Sequence, residues 1–403
     1  MPRYNGGFIG TDGLDAPDPP TDVTVSGGID GVASVSFTAP TDTGTSAITG
    51  FVATASDGVG ATGTSSPISI SGLTLGSAVT FRVLAQNAYG YSAPSDPSSS
   101  TTPAAARGVF GGGITGSADG INVMQYIAIS TTGNTTDFGN LTAAKRDQNF
   151  GSVASSTRGI FASSYGTGIV ETIDYITIAS TGNASDFGDI TSSGNYNWSS
   201  FSSSVRGVLT THVNSYSSAA TMEYITIAST GNSTDFGTSS VAGKLGAGFA
   251  SKTRGCTAQG FSNASPAYTN VIDYVTIAST GNATDFGNMT VGRAQQQTCS
   301  SNTRGIIAGG ATASTTATNV IDYVTIASTG NATDFGDLTV ARFWGSGVSN
   351  STRGVIGGGL AGSTKHDTLD YITIASAGNA TDFGNLETAT QGISATCNAH
   401  GGL

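Results

Sequence analysis

Along most of the chain, apolar and polar residues alternate in short runs, and Gly, Asn, Asp, Ser and Thr separate the runs. Ile321 to Ala327 is one such run, and its period of two fits a strand with one buried face. Its core and sequel, Asp322-Tyr323-Val324-Thr325-Ile326-Ala327-Ser328-Thr329-Gly330-Asn331-Ala332-Thr333-Asp334-Phe335-Gly336, recur with small changes. The Tyr falls at Tyr126, Tyr175, Tyr224, Tyr274, Tyr323 and Tyr371. An Arg-Gly pair keeps step at Arg107, Arg158, Arg206, Arg254, Arg304 and Arg353, at intervals of 51, 48, 48, 50 and 49 residues. In the fifth copy the pattern predicts a strand over Gly305 to Ala308, left through Gly309-Gly310, and a second over Ile321 to Ala327. Thr329 to Asp334 is a turn by composition, because Gly and Asn tolerate positive φ and Asp and Thr bond nearby backbone. Leu338 to Val340 begins another strand, Trp344 to Ser349 forms a further one, and Ser351-Thr352 turns into the next Arg-Gly.

Four short strands in about 50 residues match one β-propeller blade. The chain is therefore expected to be all-β, with residues 107–403 forming a six-bladed propeller. The glycine doublet, the apolar-Asp-Tyr strand and the ending Leu338-Thr339-Val340-Ala341-Arg342 resemble a degenerate kelch repeat. Phe138, Phe187, Phe236, Phe286, Phe335 and Phe383 stand where the kelch repeat carries Trp. The resemblance implies an architecture and no particular activity. Gly392 to Asn398 is placed to complete the first blade and remove a free sheet edge, with His400-Gly401-Gly402 echoing Arg-Gly.

Residues 17–97 predict a β-sandwich of about seven strands. Leu73 through Gly90 resembles the late strands of a fibronectin type III domain, with Asp18-Pro19-Pro20 at its start and Ser92-Ala93-Pro94-Ser95 at its end. Phe37 falls at that family's early-strand Trp position and Val79 at its tyrosine-corner position. Residues 98–106 have the composition of a small-residue linker. Residues 1–16 form an N-terminal arm, a candidate attachment segment.

Charged residues make up only 10% of the 403 and Gly numbers 58, which suits strands and turns more than amphipathic helices. The net charge of −11 comes without a basic stripe, so neither nucleic acid nor an anionic membrane surface is an expected partner. No run approaches the ~18 apolar residues of a membrane helix, so no membrane insertion is expected. Cys256, Cys299 and Cys397 are too scattered for a disulfide framework or a zinc site and are expected as buried hydrophobes. His212, His366 and His400 lack metal-ligand spacing, and no metal or cofactor is implied. The opening Met1 to Gly10 lacks the charged-then-apolar pattern of a secretory signal, giving an expectation of synthesis in a cytosol.

The repeated Asp-Phe-Gly lacks the other kinase motifs and is expected as turn chemistry. Gly243-Lys244 has no phosphate-loop spacing. Asn-x-Ser/Thr, as at Asn183, Asn282 and Asn331, is likewise explained by turns. The six repeated arginines are expected to be structural, each pairing with an acid such as Asp334 or Asp322, with a central anion site as the alternative. No catalytic residue stands out.

In an antiparallel four-strand blade, alternate connections fall on opposite faces of the ring. The near-identical turns share one face, and the loops that differ from copy to copy share the other. The divergent face collects Tyr165, Tyr196, Trp198, Tyr216, Tyr268, Phe343 and Trp344, with His366 nearby. Exposed aromatics beside Asn, Ser and Thr suit saccharide stacking or protein contact. These form the candidate ligand-binding set. Arg3 to Gly10 resembles the glycine-rich leaders of marine, cyanophage-like bacteriophage virion proteins, and the Ser/Thr/Gly/Asn-rich repeats resemble phage appendage proteins. The expectation is a non-enzymatic tail fibre, appendage or capsid decoration protein, made in the host cytoplasm and located on the virion. Its arm or front domain would meet other virion proteins, and its propeller a host surface polysaccharide or protein. The alternative is a bacterial extracellular or cell-surface adhesion protein.

Overall fold

The computed structural model describes residues 15–116, 120–145, 151–162, 164–165, 169–191, 196–212, 221–241, 245–262, 267–314 and 316–403. Among them the chain is all-β, built of antiparallel sheets without a helix. It divides into two units, residues 1–105 and 106–403.

The front unit holds a sheet of Thr21–Ile29, Val32–Thr38 and Ile68–Ile70, and a second of Gly60–Gly63, Gly50–Ala55, Phe81–Asn87 and Gly90–Tyr91. Alternation decides what faces inward: Phe81, Val83 and Ala85 are buried while Arg82 between them is exposed. They share one core with Val35, Phe37, Phe51 and Ile70, and the Phe37 and Phe51 ring centroids lie 4.7 Å apart. Burying a side chain of this size stabilises by about 2–3 kcal/mol. Val79 is also buried.

The stretch expected as a linker belongs largely to this unit. Ser92, Ser95 and Ser98 donate their N–H groups to Ala85 O, Val83 O and Phe81 O. Their hydroxyls accept from the N–H groups of the same three residues, at 2.9–3.0 Å. Serine at every third position thus replaces a ladder, with Pro94 and Pro97 between. Beyond them Thr101 pairs with Val79 and Ala104 with Ile29. The small side chains that resemble a linker are what let the segment lie this close.

Among the described residues, 106–403 form six four-stranded sheets, here numbered by their Arg-Gly strands. Sheet five orders Gln297–Ser300, Arg304–Ala308, Val320–Thr325 and Thr333–Asp337. In sheet one, Ser394–Cys397 supplies the first strand and pairs with Arg107–Gly111, Cys397 opposite Gly108. The first strands touch in a closed sequence: Ser152–Ala154, Tyr196–Ser202, Ala247–Ala250, Gln297–Ser300, Ser346–Ser349, Ser394–Cys397, and back to Ser152–Ala154. Small cores of Ile, Val, Phe and Leu fill the space between successive sheets.

The fourth strand differs from expectation. It is Thr333–Asp337, the Asp-Phe-Gly segment itself, and Leu338 to Val340 lies beyond it. Ile321 pairs with Gly336 and Asp322 with Asp334, leaving Phe335 as the extra residue of a bulge. The bulge turns Phe335 into the core while Asp334 stays exposed,. Trp344 also lies outside a strand, because its φ of 62° cannot continue one,.

Candidate binding face

One face is built from repeated staples. Each of the six repeated arginines holds its guanidinium 4.3–4.6 Å from the ring centre of the Tyr on the next strand. Each also donates from Nη1 to a carbonyl of the following sheet: Arg107 to Ile178 O, Arg158 to Ile227 O, Arg206 to Ile277 O, Arg254 to Ile326 O and Arg304 to Ile374 O, at 2.8–3.0 Å. Arg353 returns to Ile129 O of sheet one at 3.1 Å. This corrects the expected pairing with Asp334 or Asp322. Asp334 is exposed, and Asp322 is buried at 3.0 Å from Arg293.

The turn after each Asp-Tyr strand docks on the preceding sheet. Gly378 N–H donates to Phe335 O, and Asn379 Oδ1 accepts from Asp337 N–H. The other five copies repeat both bonds, ending with Gly133 to Phe383 O and Asn385 N–H to Asn134 Oδ1. Gly336, at φ 144°, permits the approach: a Cβ there would stand 2.5 Å from Gly378 O.

Buried acids pin the sheets from within. The third strands carry Asp174, Asp322 and Asp370, which meet Lys145, Arg293 and Arg342 at 3.5, 3.0 and 2.9 Å, with both partners fully buried. Burial pushes the Lys145 ammonium and the Arg293 and Arg342 guanidinium groups down from their ordinary pKa, opposed by the partner carboxylates,. Thr142, Thr290 and Thr339 add hydroxyl and N–H donors to the same acids.

The first strands surround a cavity of about 100 Å³. Its polar groups are largely engaged between strands: Ser200 Oγ donates to Ser152 O at 2.8 Å, Thr298 Oγ1 to Gly248 O at 2.6 Å and Ser349 Oγ to Ser300 O at 2.8 Å. Cys397 Sγ donates to Ser349 O at 3.2 Å, and burial pushes this thiol up to about 11. Cys256, Cys299 and Cys397 are free and buried.

The last residues differ from their expected role as an Arg-Gly echo and cross the first strands. Gly401 N–H donates to Ser300 O at 3.0 Å, and His400 Nε2 lies 3.2 Å from Ala154 O and 3.3 Å from Ser202 Oγ. Gly401 and Gly402 fit because a Cβ at either would overlap Ser301 O or Ser202 O. Desolvation among these groups pushes the half-buried His400 imidazole down to about 4.

At the opposite ends of the first strands, Leu245, Gln295, Trp344 and Gly392 occupy equivalent places with φ of 60–62°. Gln295 N–H donates to Leu245 O at 2.7 Å, Trp344 N–H to Gln295 O at 3.2 Å and Gly392 N–H to Trp344 O at 2.8 Å. Three non-glycine residues in the left-handed region each cost of order 1 kcal/mol or more.

Of the eight candidate residues, the structure groups some and corrects others. Phe343 is only 2% exposed, so it is no surface platform: it pairs with Leu360 and packs on Leu360 and Ala311. Trp344 is half-buried with its ring centre 5.2 Å from that of Phe343. Its indole N–H is buried with no hydrogen-bond partner. Tyr268 is half-buried in a separate cluster with Phe261, Leu245 and Ala294, its ring 5.4 Å from Phe261. His366 is half-buried, and burial and nearby Arg342 lower its pKa against the pull of Asp367. The backbone of Tyr196 and Trp198 lies in the strand Tyr196–Ser202, with an irregularity between Asn197 and Ser199. Tyr165 lies in a two-stranded hairpin with Ile169–Val170. The side chains of Tyr165, Tyr196 and Trp198, and all of Tyr216, lie outside the described residues. Sequence reasoning missed Leu245 and Gln295; a Gly at the aligned position 392 was the available signal.

Among the described residues, no group of three or more His, Cys, Asp or Glu could hold a metal ion, and no helix is long and apolar enough to cross a membrane. No family model and no curated protein matches the chain. A solved structure of domains A168–A170 of titin is similar at 28% identity over 23% of this chain, with a TM-score of 0.22. The match spans a third of the titin chain.

Proposed function

We propose that the six sheets are the blades of one kelch-like propeller and that the front unit is a fibronectin type III-like module. The protein then serves without catalysis as a bacteriophage virion component, a tail fibre, appendage or capsid decoration unit. Residues 1–16 or the front module would engage other virion proteins. The propeller would present its divergent face to a host surface polysaccharide or protein.

The observation that carries the binding face is the Trp344 indole N–H, buried and unpartnered beside a left-handed backbone at the end of a first strand. A buried donor without an acceptor costs about 1–3 kcal/mol, and a ligand hydroxyl or carbonyl would relieve it. The contrast between the two faces supports the same reading. One is repeated staple for staple, and the other varies in loop length and side chain. The virion assignment rests on the resemblance of Arg3 to Gly10 and of the repeats to phage proteins.

The test is binding of the purified protein to cells and surface polysaccharide of the source culture's host. Trp344→Phe, which keeps an apolar ring and removes the N–H, should weaken binding at least tenfold with an unchanged melting temperature. Unchanged binding by Trp344→Phe and by Trp198→Ala together would remove the site.

A further inference from the structure

The residue before the repeated Tyr is Gln125, Asp174, Glu223, Asp273, Asp322 or Asp370, and it is buried in all six sheets. Six copies of one junction allow each to be compared with the others. Lys145, Arg293 and Arg342 meet three of these acids at 2.9–3.5 Å. At the closing junction the cation's position is taken by Thr390 and the acid's by Gln125, so both charges are lost together. There Gln125 Oε1 accepts from Glu387 N–H at 2.9 Å. Glu223 is held by Thr191 at 3.1 Å and by Ser233.

Two junctions break the pattern differently, with Gly at the cation's position in sequence and the acid kept: Gly194 with Glu223 between sheets two and three, and Gly243 with Asp273 between sheets three and four. Asp273 accepts from Ser240 N–H at 3.0 Å, from the Ser240 hydroxyl at 2.5 Å and from Gln259 Nε2 at 2.9 Å. Every partner donates, as carboxylate oxygens require. No Lys or Arg among the described residues pairs with it. A second change opens space: Ser239 stands where Leu141, Leu338 and Leu386 stand at other junctions. The result is a cavity of about 10 Å³ lined by Asp273, Thr210, Thr257, Gln259 and Ser239 among others. That volume matches one water-sized occupant. Thr210, 4% exposed, lines this cavity, and its hydroxyl has no hydrogen-bond partner.

We propose that a monovalent metal ion of sodium's class binds in this cavity, held by the Asp273 carboxylate and the Thr210 hydroxyl. It would play the part that Lys145, Arg293 and Arg342 play elsewhere in the ring. A carboxylate and a hydroxyl are hard oxygen ligands. One positive charge balances one buried carboxylate, whereas a divalent ion would leave surplus charge in a desolvated place.

The experiment is thermal unfolding of the full chain in sodium chloride against choline chloride at equal ionic strength, with sodium-23 linewidths as a second readout. The site predicts a higher melting temperature in sodium and a saturable, protein-dependent broadening of the sodium line. Above the dissociation constant, each tenfold rise in sodium should raise the folding equilibrium constant tenfold. Thr210→Val should abolish both effects while remaining folded. Asp273→Asn should do the same, and if it fails to fold, Thr210→Val and the parent's salt comparison still decide. Identical melting and linewidths in the two salts would mean that water alone fits the cavity, overturning the proposal. A larger shift with calcium chloride than with sodium chloride would overturn its monovalent class.

Discussion

Arg353 and Ile129 are 224 residues apart in sequence, and the Arg353 Nη1 donates to the Ile129 carbonyl at 3.1 Å. The bond repeats the one that Arg304 makes to Ile374 at 3.0 Å, so the last sheet grips the first as each sheet grips the next. With Ser394–Cys397 paired to Arg107–Gly111, the ends of the repeat region are held twice.

Each guanidinium therefore contributes a stacking contact and a charge-assisted hydrogen bond. Arg304→Ala and Arg353→Ala should each destabilise residues 106–403 by about 1–3 kcal/mol in urea unfolding. Arg353→Ala should cost as much as Arg304→Ala. A negligible cost for Arg353→Ala alone would indicate that the closing junction is not formed in solution.

The buried pair of Arg342 and Asp370, 2.9 Å apart, behaves differently from a surface bridge. Arg342→Thr strands a carboxylate and should cost about 3–5 kcal/mol. Adding Asp370→Gln reproduces the neutral pair Thr390 and Gln125 of the closing junction. The double variant should recover part of the loss, giving a favourable coupling of at least about 1 kcal/mol in a double-mutant cycle.

Gly336→Ala places a Cβ 2.5 Å from Gly378 O at a φ of 144°. Backbone must shift to admit it, so the cost should exceed about 2 kcal/mol. Gly330→Ala, at the comparable φ of 157° but with nothing within 4 Å, should cost less. Comparing their urea midpoints separates the close approach from the φ penalty.

His400 titrates at about 4 in the folded protein, against about 6.5 in an unfolded chain. Between these values the unfolded state binds more protons, so stability rises with pH. The His400 contribution is complete above about pH 6.5 and is lost progressively as pH falls toward 4. His400→Gln should flatten the pH dependence of stability across that window. The difference between parent and variant isolates this group from Asp273, whose raised pKa acts with the opposite sign.

Much of the sheet order was legible in the sequence because Arg-Gly and Asp-Tyr recur at a fixed spacing and alternate with period two. Less legible was where the arginines reach. Their acceptors are backbone carbonyls, which every residue carries, so no side chain at the partner position marks the bond. The fourth strand was misplaced because Thr-Asp-Phe-Gly has turn composition, and only the bulge at Phe335 lets it pair. Residues 98–106 resembled a linker because small residues and proline serve both purposes. Phe343 resembled a surface aromatic in a loop, yet its loop pairs with Leu360 and turns the ring inward. Arg342 belonged to a motif visible from the start, and its buried partner Asp370 was signalled by the joint change to Thr390 and Gln125.

Electron cryo-microscopy of particles from the source culture tests the central claim most directly. The account predicts density for a six-bladed ring on a phage capsid or tail, tethered through residues 1–16 or the front module, with the Trp344 side facing outward. Density on a cell surface, or only free protein, would contradict the virion reading and favour an adhesin.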